Sequence, residues 1–385
     1  MSQLSPEQAA RIASGVYTLF DFGVEDALKT GGLGIDGLFA VDRHSVFKAR
    51  TGMFMIRKLT DFGYVAAGVE AFEGSALVAT RGTRMAWDWV TDVNIALQRG
   101  PGGWPVHAGF NETWKSYARS LSEFFDQHRV ERVHCVGHSL GGALAALNAD
   151  WCTSRGLAAE LYTFGAPRTG DALFARSLTR RLQPAHIHRV SHPADPVPMI
   201  PLFPFWHLPH GERGLTIPQG DFGLVHKGAH SMAETYLPAM TGKDWGALAV
   251  VQRADENAQV QSWLERAAAG QGGFVQGSAR LLSMIGRALA WLLKGALKVP
   301  AHGVSAAATA SLTALDLVAC LLANAAALAK EVAAHVKTLA AAILSFLGRK
   351  VGQGVDVTVA FLRWVLALLG STLAGVARRA LDLVT

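Results

Sequence analysis

A serine set among glycines, Gly137-His138-Ser139-Leu140-Gly141, sits where an apolar run, RVHCVG, gives way to ALAALNA. A strand turning sharply into a helix lifts a serine hydroxyl clear of a sheet, and glycines two before and two after remove side chains that would clash. Gly142 adds to that pattern. The bland alternative is a glycine-rich turn with an inert serine. A hydroxyl is a poor nucleophile near neutral pH, so it needs a histidine base, and the imidazole needs a carboxylate to set its tautomer. In this arrangement the chain order is serine, acid, histidine. Asp195, in RVSHPADPVPMIP, lies where a strand-like stretch meets a proline-stiffened loop; Asp171, in TGDALFA, is the rival acid but reads better as a helix N-terminal residue. His207, His210, His226, His230 and His302 follow the acid. His230 is favoured because it precedes a helix-like SMAETYL after a short Gly228-Ala229 turn, with His226 a competitor four residues earlier.

The elements that must hold these residues follow an α/β rhythm. Ser5-Pro6-Glu7-Gln8 reads as a helix start, and the first forty residues as helix followed by a glycine-rich turn at Thr30 to Gly34. GYVAAGVE and SALVAT form a hairpin pattern. ALVAT, a helix from about Gly109 to His128, RVHCVG, ALAALNADWCTSRG and AELYTFG then alternate, as in a sheet with crossover helices. This first unit is expected over residues 1–250, its hydrolytic part closing near Met240. Gly270, Gly272, Gly273 and Gly277 mark a change of style. Residues 271–385 read as an Ala/Leu-rich, all-helical region, with seventeen alanines among residues 301–350 and no fixed repeat.

Composition narrows the partners. Half of the 385 residues are hydrophobic and 17% are charged, drier than an ordinary soluble protein. Residues 271–385 hold eleven Lys/Arg against four Asp/Glu, a balance of +7, which leaves −1 of the total +6 for residues 1–270. A cationic apolar segment without a basic block or basic-aromatic interleaving points to an anionic membrane surface and away from nucleic acid. Cys135, Cys152 and Cys320 lie far apart with no CxxC, so neither a zinc site nor a disulfide framework is expected. Glu7 and Arg11 interrupt any apolar stretch a Sec leader would need, so the expected location is cytoplasmic or peripheral to a membrane, with non-classical secretion as a variant.

With these residues assembled, the chain resembles the class 3 lipases, fungal triacylglycerol lipases and their bacterial relatives, within the α/β-hydrolase superfamily. The likeness rests on VATRGT at 78–83, DWVTD at 88–92, VHAGF at 106–110, VGHSLGGALA at 136–145, YTFGAPRTGD at 162–171, DPVPMIP at 195–201 and HSMAETY at 230–236. It implies a mostly parallel sheet with flanking helices and a Ser139, Asp195, His230 triad. It also implies an oxyanion hole formed at Thr83 and the Leu140 amide, and needs no metal or cofactor. The segment after Thr83, RMAWDWVTD, corresponds to the family's lid; Trp87 and Trp89 either cover the site or simply pack a short helix. His107 and Gly109 match a family position expected to give structural support, and Arg84 either pairs with a phosphate or, the better fit, is a surface charge. Residues 241–385 have no counterpart in the compact lipases, and the Asp-to-His interval is short.

In that last third, Arg280, Arg287, Lys294 and Lys298 fall within about 40° on a helix, a cationic stripe on an apolar background. Such a helix either lies in a membrane interface or is buried in a bundle. Ser305 to Ala329 has one charge, Asp316, and Val355 to Ala377 carries Asp356 and Arg363; both are long enough to span a bilayer. An interfacial hairpin or a self-packed bundle fits better, because a charge near the bilayer centre costs roughly 2.5 to 3.5 kcal/mol. The expected activity is ester hydrolysis of an acyl lipid, phospholipid over stored triglyceride. One version is an antibacterial effector. The rivals are a membrane-remodelling or pore-forming protein and a small-molecule esterase. No signal for an oligomeric state is present.

Overall fold

Strands buried on both faces read as unbroken apolar runs, and here such runs form the centre of an eight-stranded sheet. The structure, a computed structural model, describes residues 2–41, 45–51, 58–82, 97–202, 204–211, 214–217, 225–248, 256–268, 277–296, 314–349 and 356–381. The strands are Phe39–Ala40 (β1), Val46–Thr51 (β2), Lys58–Gly68 (β3), Ser75–Thr80 (β4), Arg132–His138 (β5), Ala158–Phe164 (β6), Ile187–Ser191 (β7) and Leu215–Thr216 (β8). Their order is β1-β3-β4-β5-β6-β7-β8, with β2 on β3. β3 and β4 are the expected hairpin, antiparallel with Tyr64 opposite Ala79. From β4 onward every pairing is parallel, Val78 facing Cys135 and Cys135 facing Leu161.

Alternation along each strand splits the side chains between two cores. Val78, Val133, Cys135 and Leu161 point to one, and Leu77, Ala79, Val136, Tyr162 and Phe164 to the other. Helix α1 (Pro6–Gly15) packs on the second face, its start set by a capping box in which Ser5 accepts from the Gln8 amide. The expected single helix from Gly109 to His128 is instead two, α2 (Ala108–Lys115) and α3 (Ala118–Gln127). Tyr117 sits at the break, stacked on Phe47 at 4.6 Å. Its hydroxyl and Trp114 Nε1 each donate to Asn148 Oδ1 at 3.0 Å. Those contacts need both rings turned inward from adjacent turns. Asn148 belongs to α4 (Leu140–Ser154), which is buried from Leu140 through Cys152. Cys135 and Cys152, far apart in sequence, meet as free thiols, because the chain reverses between β5 and α4. Asp171 caps α5 (Ala172–Leu182), accepting from the Phe174 amide at 2.8 Å.

Among the described residues the last third is mainly helical, with Glu256–Ala268 (α6), Ala279–Ala296 (α7), Ala314–Leu328 (α8), Lys330–Phe346 (α9) and Val359–Leu381 (α10). Its apolar residues continue the first core: one contiguous cluster runs from Val78 and Leu144 through Leu339 and Leu344 to Leu366. Of the apolar run from Ser305 to Ala329, residues 305–313 lie outside the described residues, and the rest is α8. α8 has 15 residues and stops at Ala329, whose backbone is extended at φ −148° and ψ 128°. α10 contains a stretch, Val359–Ala380, long and apolar enough to cross a membrane, one third of whose apolar window is buried against the rest of the fold. Asp316 and Arg363, the charges interrupting the two apolar runs, pair at 2.6 Å. Lys298 and His302 lie outside the described residues, as do the side chains of Arg280 and Lys294.

Under the sheet, His134 and His188 are both buried, and burial depresses each to a pKa of about 4. The unfolded chain takes up a proton on each near pH 6.5, whereas the folded chain does so only near pH 4. Between those values the unfolded state binds more protons, so stability is full above pH 6.5 and is lost as pH falls toward 4. Each histidine accounts for a loss on the order of 2–3 kcal/mol across that window. The melting temperature should therefore fall steadily from pH 7 to pH 4, and His188→Gln should flatten that slope by up to one proton. A wild-type melting temperature constant across this window would contradict the assignment.

Candidate active site

β5 ends at His138 and α4 begins at Leu140, leaving Ser139 as the hinge at φ 59° and ψ −133°. A non-glycine residue rarely adopts positive φ, and here close packing enforces it. A β-carbon on Gly137 would lie 2.2 Å from the Gly141 carbonyl oxygen, and one on Gly141 would lie 2.1 Å from the Thr80 carbonyl oxygen. The flanking glycines thus let the helix start directly against β4. The Ser139 amide donates to the Phe164 carbonyl at 2.9 Å, tying the turn to the end of β6.

Two loops bring up the partners. Asp195 follows β7 and accepts the amide of Val197, the first residue of the turn Val197–Met199, at 2.9 Å. His230 closes the turn Lys227–His230, anchored where the His226 amide donates to the Ala194 carbonyl at 3.0 Å. Ser139 Oγ then lies 2.8 Å from His230 Nε2, and His230 Nδ1 lies 2.8 Å from Asp195 Oδ2. All three residues are fully buried. Tyr236 donates to the same Asp195 oxygen at 2.6 Å while accepting the His192 amide at 3.1 Å. Burial, and then the Asp195 charge, push the Tyr236 phenol well up, so it stays protonated and donates. Gly165, at φ +55°, makes room for the pair: a β-carbon there would fall 2.8 Å from Asp195 Oδ2 and 3.0 Å from His230 Nδ1.

A second hydrogen-bonded line runs behind the first. His138 Nε2 lies 2.9 Å from the His230 carbonyl oxygen, His138 Nδ1 lies 2.9 Å from the Tyr17 hydroxyl, and the Gly82 amide donates to that hydroxyl at 3.1 Å. A carbonyl only accepts, so His138 carries its proton on Nε2 and Nδ1 must accept from Tyr17. Burial, and then the nearby His230, drive His138 well below its usual pKa, which keeps it neutral. Tyr17 therefore links the backbone of the candidate base to Gly82, the residue before Thr83.

The rival residues sit elsewhere. Asp171 caps α5, and exposed His226 uses Nδ1 to accept the Gly228 amide at 3.0 Å. His107 caps α2, accepting the Gly109 amide at 3.1 Å, a supporting role. Thr83, Arg84, Trp87 and Trp89 lie outside the described residues. Leu140 opens α4, where first-turn amides lack acceptors inside the helix and can face an anion. Among the described residues no three His, Cys, Asp or Glu side chains converge to hold a metal ion. Sequence reasoning passed over Tyr17, His138 and Tyr236 as site residues. Two of them lie inside quoted motifs, but Tyr17 is 121 positions from its partner His138. Chemically, the arrangement can activate a serine hydroxyl and carry its proton to an imidazole backed by a carboxylate.

The class 3 lipase family model matches residues 77–205, which include Ser139 and Asp195 and end before His230. Secreted mono- and diacylglycerol lipase 1 of Fusarium solani is 33% identical over 131 residues, 32% of this chain and 39% of that protein. Phospholipase A1-II 2 of Oryza sativa subsp. indica is 30% identical over 191 residues, 36% of this chain and 45% of that protein. The chain thus spans less than half the length of these relatives. Among solved structures, the Rhizomucor miehei triacylglyceride lipase is similar at 23% identity and a TM-score of 0.40, over 55% of this chain and 77% of that one.

Tyr17→Phe removes the donor to His138 and the acceptor of the Gly82 amide, a loss of about 1–2 kcal/mol at the site. The rate of covalent labelling by a fluorophosphonate should fall roughly tenfold, while Ser139→Ala should not label at all. Unchanged labelling of Tyr17→Phe would show that the second line does not position the reacting groups.

Proposed function

With residues 77–205 matching the class 3 lipase family, we propose that the protein is a serine hydrolase that cleaves carboxylic esters of acyl lipids. The observation that carries this reading is the unbroken line from Asp195 through His230 to Ser139, 2.8 Å at each step. Ser139 Oγ attacks the ester carbonyl as its proton passes to His230 Nε2, and Asp195 steadies the imidazolium through Nδ1–H. The Leu140 amide, with Thr83 as its partner donor, holds the oxyanion, each donor contributing about 3–4 kcal/mol. Collapse expels the alcohol with the proton from His230, and water then attacks the acyl-Ser139 ester by the same relay.

Within acyl lipids the substrate we favour is phospholipid at an anionic membrane face. Three observations support it: the +7 balance of residues 271–385, the apolar length of Val359–Ala380, and a relative bearing a phospholipase A1 name. Trp87 and Trp89 would act as the apolar cover that yields on contact with lipid.

Fatty acid released from anionic phospholipid vesicles tests the reading. Wild type should be active, Ser139→Ala should lose at least about 10⁴-fold in kcat/KM, and Asp195→Asn should lose roughly 10³- to 10⁴-fold. Cleavage of soluble short-chain esters without vesicle hydrolysis would leave an esterase and remove the lipid assignment. Vesicle disruption by Ser139→Ala equal to wild type would instead favour a membrane-remodelling protein with a hydrolase scaffold.

A further inference from the structure

A cavity of about 270 Å³ lies where the C-terminal helices meet the loop carrying His230. Val225, Phe346, Leu368, Leu373 and Val376 give it apolar walls, and Thr372 and Arg349 supply its polar groups. Arg349 is exposed, and its guanidinium lies 5.9 Å from the centre of the Trp364 ring. No carboxylate among the described residues pairs with it. An apolar cavity with a cation that has no carboxylate partner among the described residues matches a ligand that is apolar along its length and anionic at one end. The volume is of the size that a medium-length alkyl chain needs.

The walls of the cavity join the reacting loops through the backbone. The Val225 amide donates to the Gly277 carbonyl at 2.9 Å, and the Gly277 amide donates to the Phe346 carbonyl at 3.1 Å. The next residue, His226, donates to the carbonyl of Ala194, the neighbour of Asp195, at 3.0 Å. Val225 therefore lines the cavity while standing one residue from the tie to the acid loop and five from His230.

We propose that this cavity binds one acyl chain bearing an anionic head, a medium-chain fatty acid, with its carboxylate at Arg349 and its chain between α9 and α10. Calling that ligand a product of the protein rests on the proposed lipid hydrolysis; the binding itself does not. Binding is therefore measured in the Ser139→Ala protein with saturated fatty acids of eight to twelve carbons, and esterase activity is measured separately on the wild-type background.

Affinity should rise about threefold to fourfold per added methylene until the cavity is full and then level off. Arg349→Gln should weaken dodecanoate binding at least tenfold, and the uncharged alcohol of the same length should bind the parent protein as weakly. Leu373→Trp, which fills the cavity, should abolish binding while leaving short-chain esterase activity in the Ser139 background. A diazirine-bearing fatty acid should crosslink to residues 346–349 and 368–376. Crosslinking confined to peptides around Ser139, or equal affinity in all three proteins, would overturn the proposal whether or not the protein hydrolyses lipid.

Discussion

Ser139 adopts a conformation that β-carbon-bearing residues avoid, at a cost of order 1–3 kcal/mol, and much of the surrounding structure serves to enforce it. The helix it launches is buried from Leu140 through Cys152, so the turn cannot relax outward. The Thr80 hydroxyl donates to the Gly141 carbonyl at 2.7 Å, fixing the first turn of that helix to the strand beside it. A parallel arrangement of β4, β5 and β6 lines up their carboxyl ends, the edge at which open α/β sheets present their chemistry. The serine is thus held by the sheet and the helix together.

Given a fixed serine, two loops must meet it to within a few tenths of an ångström. They do so by sharing partners. Asp195 accepts from Val197, Tyr236 and His230, which suits a buried carboxylate that has only acceptors to offer. His230 is held through its ring by Asp195 and through its backbone by His138. Tyr17 then joins that backbone contact to Gly82. Two lines of hydrogen bonds, one through side-chain atoms and one through the backbone behind it, converge on the same imidazole.

What could be read from the chain follows from how local each signal was. The serine turn was legible because its strand, glycines and helix are contiguous. Asp171 and Asp195 were separable because a helix start and a proline-stiffened loop look different. His226 and His230 differ only in which one the folded loop turns inward, and His226 satisfies its own turn instead. Tyr17 left no local trace, since its importance comes from a contact across 121 positions. The proximity of Cys135 and Cys152 was likewise not legible, because it comes from the chain reversal between β5 and α4, and the two remain free thiols. Composition marked residues 271–385 as helical and apolar. That these helices share a core with the sheet was not legible, since packing partners far apart in sequence leave no periodicity.

In the proposed mechanism Ser139 carries the acyl group during turnover. Acid quenching during hydrolysis of a chromogenic ester, followed by peptide mass mapping, tests it directly. One acyl group per chain on the peptide containing Ser139, absent from Ser139→Ala, is the expected result. Steady hydrolysis with no acylated peptide, or acylation on another residue, would contradict it.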